Sequence, residues 1–432
     1  MKTEFGDLIE LKLKKETLEG VLIPSSKTEI IFLKLKNGYN IGINKKDILK
    51  TKVIKKYKEI KSKKSKITQD KNLPTISILH TGGTIASRVD YRTGGVLSKF
   101  NPEDLIEMFP ELKQIAKVKS KLISNMWSDD LRFSHFNKIA KEIKKEVIKG
   151  AEGIIVTMGT DNLAVASAAL AFILEELPVP VLFVGAQRSS DRGSSDAGMN
   201  LITATQFIVN SDFAEVAICM HKNTDDDVSV ILSATKSRKL HSSRRDAFKA
   251  VNSEPFAEVE YPTGKIKYIN KNYKKKGNKN LKLKLFNEKL KIGLLKAHVN
   301  MYPEEFSLYK KWDGLVIEGT GLGHIPLDVL DIDTKVHDKI KNLLFQIIKS
   351  GTLVAMTTQT LFGRTGMNVY SKGRDLQGLG VLGNNLDMLP EVMFIKLAWL
   401  LSNYKKQEIP ELLAKNLRGE INERLTDFDI YL

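Results

Sequence analysis

The sequence predicts an α/β protein: two successive α/β domains preceded by a small β-rich domain. Three observations predict it. From residue 74 onward, short β-branched and apolar runs alternate with stretches of helical periodicity, the pattern of a parallel sheet covered on both faces. Before that point, short runs alternate apolar and polar residues with a period of two. The chain also has 432 residues, 42% of them hydrophobic, which suffices for about three domains of ordinary size.

Residues 1–60 contain the runs LIELKLKK, EGVLIP and EIIFLKLKNGYNIGI, with Asn37-Gly38 as a hairpin signal. Short strands at this spacing make a small β-barrel of SH3-like size. The segment Lys52–Lys66 holds eight lysines and reads as a solvated basic linker, whose core we place at residues 61–73. A first α/β domain is expected over residues 74–260. Its strands are TISILH, GIIVTMG, VPVLFVGA and EVAICM, and its helices span Leu131–Lys149, Asn162–Glu176 and Asp196–Asn210. A Lys-rich connection, residues 261–290, leads to a second α/β domain over 291–432. There the strands are IGLLKAH, DGLVIEG and TLVAMTT, with a helix at Val336–Lys349.

Composition narrows the functional classes. The longest largely apolar run, Leu163–Leu174, is 12 residues, against about 20 for a spanning helix. The N-terminus has no apolar signal core, and Cys219 is the single cysteine, so neither an internal disulfide framework nor a multi-cysteine zinc site can form. A cytoplasmic location and no membrane association are expected. The net charge of +17 is uneven: residues 1–75 hold 19 lysines against nine acidic residues, and residues 261–290 hold ten against Glu288. Clustered lysines suit a polyanionic partner, and equally suit solvated loops.

Three motifs can carry chemistry. Thr81-Gly82-Gly83-Thr84-Ile85-Ala86-Ser87 follows a strand. Its glycines permit a sharp turn and a close backbone approach, and the hydroxyl after them stands where open α/β sheets bind ligands. An ordinary strand-to-helix turn would read the same way. Met158-Gly159-Thr160-Asp161-Asn162 again joins a strand to a helix, where Thr and Asp commonly serve as caps. Ala234-Thr235-Lys236 ends an apolar run, and its lysine either snorkels or is desolvated and used as a base.

Taken together, the ordered motifs TGGTIA, GTD and ATK over residues 74–432 resemble the bacterial-type L-asparaginase/glutaminase family. Within it, the sequence is similar to the GatD-type subunits of archaeal Glu-tRNA(Gln) amidotransferases. The β-rich domain at the N-terminus and the segments GGTIASRVDYRTGGV, RSSDRGSSDAGMNL, YSKGRDLQGLGV and MLPEVMFIKLAWLL carry this closer likeness. The resemblance implies two asparaginase-type α/β domains, with Thr84 as the nucleophile and Thr160, Asp161 and Lys236 as a Thr–Lys–Asp cluster. It implies that Asp161 also binds the substrate α-ammonium, that Tyr91 closes over substrate on a loop hinged at Gly94 and Gly95, and that Ser124 binds the substrate carboxylate. Residues 123–126 lack one residue of the family pattern before Asn-Met.

The implied activity is glutamine hydrolysis, with the ammonia passed to a GatE-type partner subunit that amidates Glu-tRNA(Gln). No cofactor is expected in this chain, and ATP and Mg²⁺ are implied for the partner. A homodimeric core within a heterotetramer is implied, and the basic segments are expected to meet tRNA or the partner. The alternatives are a stand-alone L-asparaginase and a catalytically inactive tRNA-binding scaffold. Asp225-Asp226-Asp227 reads as an exposed acidic loop, and Gly319-Thr320-Gly321-Leu322-Gly323-His324 as a tight turn.

Overall fold

The computed structural model describes residues 3–25, 27–37, 39–57, 69–83, 85, 88–89, 96–97, 108–190 and 193–425. The chain opens with five antiparallel strands: β1 (Leu8–Leu13), β2 (Thr17–Ile23), β3 (Ile30–Lys34), β4 (Asn40–Asn44) and β5 (Ile48–Lys55). They lie in the order β4-β3-β2-β1-β5, so the last strand returns beside the first, as in an SH3-like barrel. Alternation decides which side faces in: Ile9, Leu11, Leu22, Leu33 and Ile43 form the core. The buried Asp7 carboxylate ties the returning chain down, accepting from Tyr57 N at 3.0 Å and Lys56 Nζ at 2.9 Å.

The linker expected from Lys52 onward starts later than the lysine run suggests. Lys52–Lys55 belong to β5, where Val53 pairs with Ile9 and its lysine neighbours face outward. Residues 58–68 lie outside the described residues, as does Gly38 of the expected hairpin.

The central unit begins with β6 (Thr75–His80). It continues through β7 (Arg88–Val89), β8 (Val96–Leu97), β9 (Lys117–Leu122), β10 (Gly153–Thr157), β11 (Leu174–Glu175), β12 (Val181–Val184) and β13 (Val216–His221). After these come β14 (Val228–Ser233), β15 (Ser237–Lys239), β16 (Phe248–Ala250), β17 (Ala257–Glu260), β18 (Ile266–Tyr268) and β19 (Lys282–Leu283). Eight of them form one sheet, ordered β18-β17-β14-β13-β12-β10-β6-β9. The five strands from β13 to β9 are parallel, and β14, β17 and β18 extend the edge antiparallel.

Every residue of β10 is buried, because helices cover both faces. Ile154 and Val156 meet the helices Phe133–Ile148 and Leu163–Ile173 on one side. Ile155, one residue out of phase, meets Ala197–Asn210 on the other. The second α/β unit has three parallel strands, β20 (Ile292–Lys296), β21 (Gly314–Gly319) and β22 (Leu353–Thr358). Its helix Pro390–Asn403 packs against Leu163–Ile173 of the first unit, with the Phe172 and Trp399 ring centroids 5.5 Å apart. The Gly-rich segment after β21 is a tight turn bridged between Thr320 and His324. Among the described residues, no helix is long and apolar enough to cross a membrane.

Candidate functional site

The loops that leave the carboxyl ends of β6, β9 and β10 meet, at the position where an open parallel sheet binds ligands. Thr81 anchors the first of them: its N and Oγ1 both donate to Thr157 O, at 3.0 and 3.2 Å. Gly82 and Gly83 then take φ of +113° and +87°. A Cβ on Gly82 would overlap the Met126 backbone, and one on Gly83 would overlap Gly159 N. The two glycines thus let three loops close backbone to backbone, which is the reason for glycine at both positions. Beneath them, buried His80 places Nδ1 2.6 Å from Thr157 Oγ1. Burial pushes its pKa down to about 4, so the ring is a neutral support.

The loop after β10 presents Thr160 and Asp161. Lys239, at the end of β15, donates to both: Nζ lies 2.9 Å from Thr160 Oγ1 and 2.7 Å from Asp161 Oδ1. Thr160 Oγ1 in turn lies 3.5 Å from Gln187 Oε1. Thr160 is buried, the Lys239 side chain is 12% exposed and the Asp161 carboxylate is 61% exposed. A hydroxyl and an ammonium held in a shielded pocket, with a carboxylate open to solvent beside them, can move protons and bind a cationic group in one place.

Lys236 is elsewhere. It is fully buried, and its Nζ donates to Asp387 Oδ2 at 2.6 Å and to Asp387 O at 3.3 Å. Burial lowers its pKa, against the opposing pull of the Asp387 carboxylate. The expected Thr160–Lys236–Asp161 grouping is therefore corrected to Thr160–Lys239–Asp161. The physical reason is local geometry: Lys236 lies in the turn that closes on Ser233 O just before β15, whereas Lys239 ends that strand. One lysine turns into the seam between the two α/β units, and the other turns toward the sheet's carboxyl end.

Ser124 sits beside the first loop, with Oγ 3.5 Å from Thr81 O and its backbone N 3.4 Å from His80 O. Thr84 and Tyr91 lie outside the described residues. Sequence reading missed three residues at this site. Lys239 was hidden because TKSRKL offers two lysines, and only the fold shows that Lys236 falls in the turn before β15 and Lys239 at its end. Gln187 holds the loop after β12, its backbone N donating to Asp196 Oδ2 at 3.0 Å. Ser128 joins the loops after β9 and β10: its Oγ accepts from Asn162 N at 3.3 Å and its carbonyl from Asn162 Nδ2 at 3.0 Å. Neither Gln187 nor Ser128 carries a local sequence signal.

Three family models match consecutive parts of the chain. They are the GatD N-terminal domain over residues 3–54, the N-terminal asparaginase domain over 75–274 and the glutaminase/asparaginase C-terminal domain over 291–413. A GatD subunit of glutamyl-tRNA(Gln) amidotransferase from Methanococcus maripaludis is 42% identical across 98% of this chain and 99% of its own length. The chain belongs to the GatD family of glutamyl-tRNA(Gln) amidotransferase subunits. A second GatD, from Pyrococcus abyssi, is 39% identical over 99% of this chain and 97% of its own.

The thermostable L-asparaginase from Thermococcus kodakarensis is a solved structure with the same architecture. Its TM-score is 0.70 at 26% identity, and the match covers 81% of this chain and all of that one. This chain thus carries an asparaginase-type fold of two α/β domains behind an SH3-like barrel.

Proposed function

We propose that this chain is the glutaminase component of the amidotransferase. The observation that carries the reading is the single ammonium of Lys239 bridging Thr160 Oγ1 and Asp161 Oδ1 at the mouth of the sheet that also bears the Thr-Gly-Gly loop. Glutamine binds with its α-ammonium on the open Asp161 carboxylate and its α-carboxylate near Ser124, and Tyr91 closes over it. Thr84 Oγ attacks the side-chain amide carbon. The hydroxyl proton leaves through the Thr160–Lys239 pair, since a threonine hydroxyl needs a neighbouring base. The tetrahedral oxyanion collapses, the leaving nitrogen takes a proton and departs as ammonia, and water hydrolyses the Thr84 ester to glutamate.

The ammonia then passes to a partner subunit of GatE type. That partner uses ATP and Mg²⁺ to activate the carboxylate of Glu-tRNA(Gln) and form Gln-tRNA(Gln). Two copies of each subunit make the assembly.

The test is ammonia release from glutamine and from asparagine, by the chain alone and by the chain with the partner and Glu-tRNA(Gln). Glutamine hydrolysis that rises with partner and charged tRNA supports the reading. Vigorous asparagine hydrolysis by the chain alone, indifferent to tRNA, would replace it with a free asparaginase.

A further inference from the structure

The two lysine-rich segments are used differently by the fold. In the second, Lys275 Nζ pairs with Asp212 at 2.8 Å and Lys276 Nζ donates to Ile208 O at 2.6 Å. Lys284 Nζ donates to Tyr404 Oη at 2.6 Å and lies 3.4 Å from Glu175. Those ammonium groups pin the connection between β18 and β19 to the first α/β unit and, through Tyr404, the chain after β19 to the second.

The barrel is the opposite case. Leu11 and Leu13 belong to the barrel's apolar side, so Lys12 between them points out, and it stands directly across from Lys50 of β5. Lys52 follows on the same face, opposite Glu10. Lys14 and Lys15 occupy the turn that leaves β1, and Lys46 the short turn that enters β5. Because β1 and β5 are antiparallel, these two turns lie at the same end of the barrel. All six lysines are exposed, and none of them forms an ion pair among the described residues, unlike Lys36 and Lys56. Like charges placed directly across a sheet are destabilising, so the fold alone gives no reason for Lys12 opposite Lys50. A bound polyanion does.

We propose that this lysine ridge on the barrel binds the phosphate backbone of RNA. The identification of that RNA with the tRNA substrate rests on the function proposed above. Lysine meets phosphate as a flexible point charge. Such contacts position a nucleic acid without reading its sequence, so the ridge would hold the body of the tRNA and leave recognition of the glutamate identity to the partner. In the second lysine segment Lys275, Lys276 and Lys284 are already held by internal contacts, so they are not free to follow a phosphate backbone in the same way.

The experiment is binding of the full-length chain to a tRNA transcript across a salt series, read by fluorescence anisotropy. Three proteins are compared: the wild type, a ridge variant (Lys12→Gln, Lys14→Gln, Lys50→Gln, Lys52→Gln) and an equal-charge control (Lys310→Gln, Lys311→Gln, Lys335→Gln, Lys339→Gln). The ridge variant should bind at least about tenfold more weakly at moderate salt and lose about 3 from the slope of log affinity against log salt, as four released phosphate contacts require. The control should keep the wild-type slope. Equal loss in both variants, or in neither, overturns the assignment. Displacement of the tRNA by poly-glutamate at matched charge would make the ridge an acidic-protein site and overturn it too. Ammonia release from glutamine, measured on the same proteins with the partner present, separates the two claims. A wild type that binds tRNA through the ridge but hydrolyses no glutamine retains the ridge and refutes the glutaminase reading.

Discussion

Lys239 Nζ lies 2.7 Å from Asp161 Oδ1, while Lys236, three residues earlier, is turned the other way and buried against Asp387. The pairing gives the two lysines separate tasks, one at the site and one in the seam between the α/β units. Each task has its own measurable consequence.

Replacing Lys239 with Met should leave the protein folded and lower kcat for glutamine hydrolysis by about 10²–10⁴, the usual range for a lost proton-transfer group. Steady-state ammonia release with a circular-dichroism control checks this. A Lys239→Met enzyme of normal kcat would return the role to some other base.

Lys236 should behave as a structural residue. Lys236→Ala leaves the Asp387 carboxylate buried without its cation, a loss of about 3–5 kcal/mol, visible in chemical denaturation. Pairing Lys236→Met with Asp387→Leu should recover much of that loss, because no charge is then stranded. The buried pair of Lys396 and Glu420, 2.6 Å apart, makes a parallel case: Glu420→Leu should lower stability by a similar amount, and adding Lys396→Met should restore part of it.

His80 sets a pH limit on stability. Its folded pKa is depressed to about 4 by burial, whereas an unfolded histidine titrates near 6.5. Between those values the unfolded chain binds a proton that the folded one refuses, so stability falls as pH falls from about 6.5 toward 4. The full effect is of order 3 kcal/mol at about 1.4 kcal/mol per unit. Denaturation midpoints of wild type and His80→Gln across this range should converge at acid pH. Parallel curves would mean that His80 does not titrate between the two states.

Gly83→Ala should damage the site more than the fold. Its φ of +87° and the backbone of Gly159 against it leave no room for a methyl group, so the loop must move away from Thr160. Ammonia release should drop by at least about a hundredfold, as small displacements of reacting groups cost that much. Tm should fall by only a few degrees. Activity within a factor of a few of wild type would show that the loop has another productive path.

The parts of this protein legible in sequence are those that local pattern dictates. The strands TISILH and DGLVIEG are recognisable because a strand covered on both faces must be apolar throughout, and β6 and β21 coincide with them to within a residue. The first four barrel strands follow from period-two alternation. The illegible parts depend on partners distant in sequence. Asp387, which claims Lys236, is 151 residues away, and nothing near either residue announces the other. Lys52 to Lys55 look like linker by composition, yet β1 supplies the edge that makes them strand. The choice between two lysines in TKSRKL needs the direction of each side chain, which only the folded strand supplies.

Whether Thr84, Thr160 and Lys239 act solely in releasing ammonia is best decided in the assembled complex. Thr84→Ala enzyme would be assayed for amidation of Glu-tRNA(Gln) with glutamine and, separately, with an added ammonium salt. Glutamine-dependent amidation should vanish while ammonium-dependent amidation continues at the wild-type rate. Equal loss of both, or undiminished use of glutamine, would contradict that division of roles.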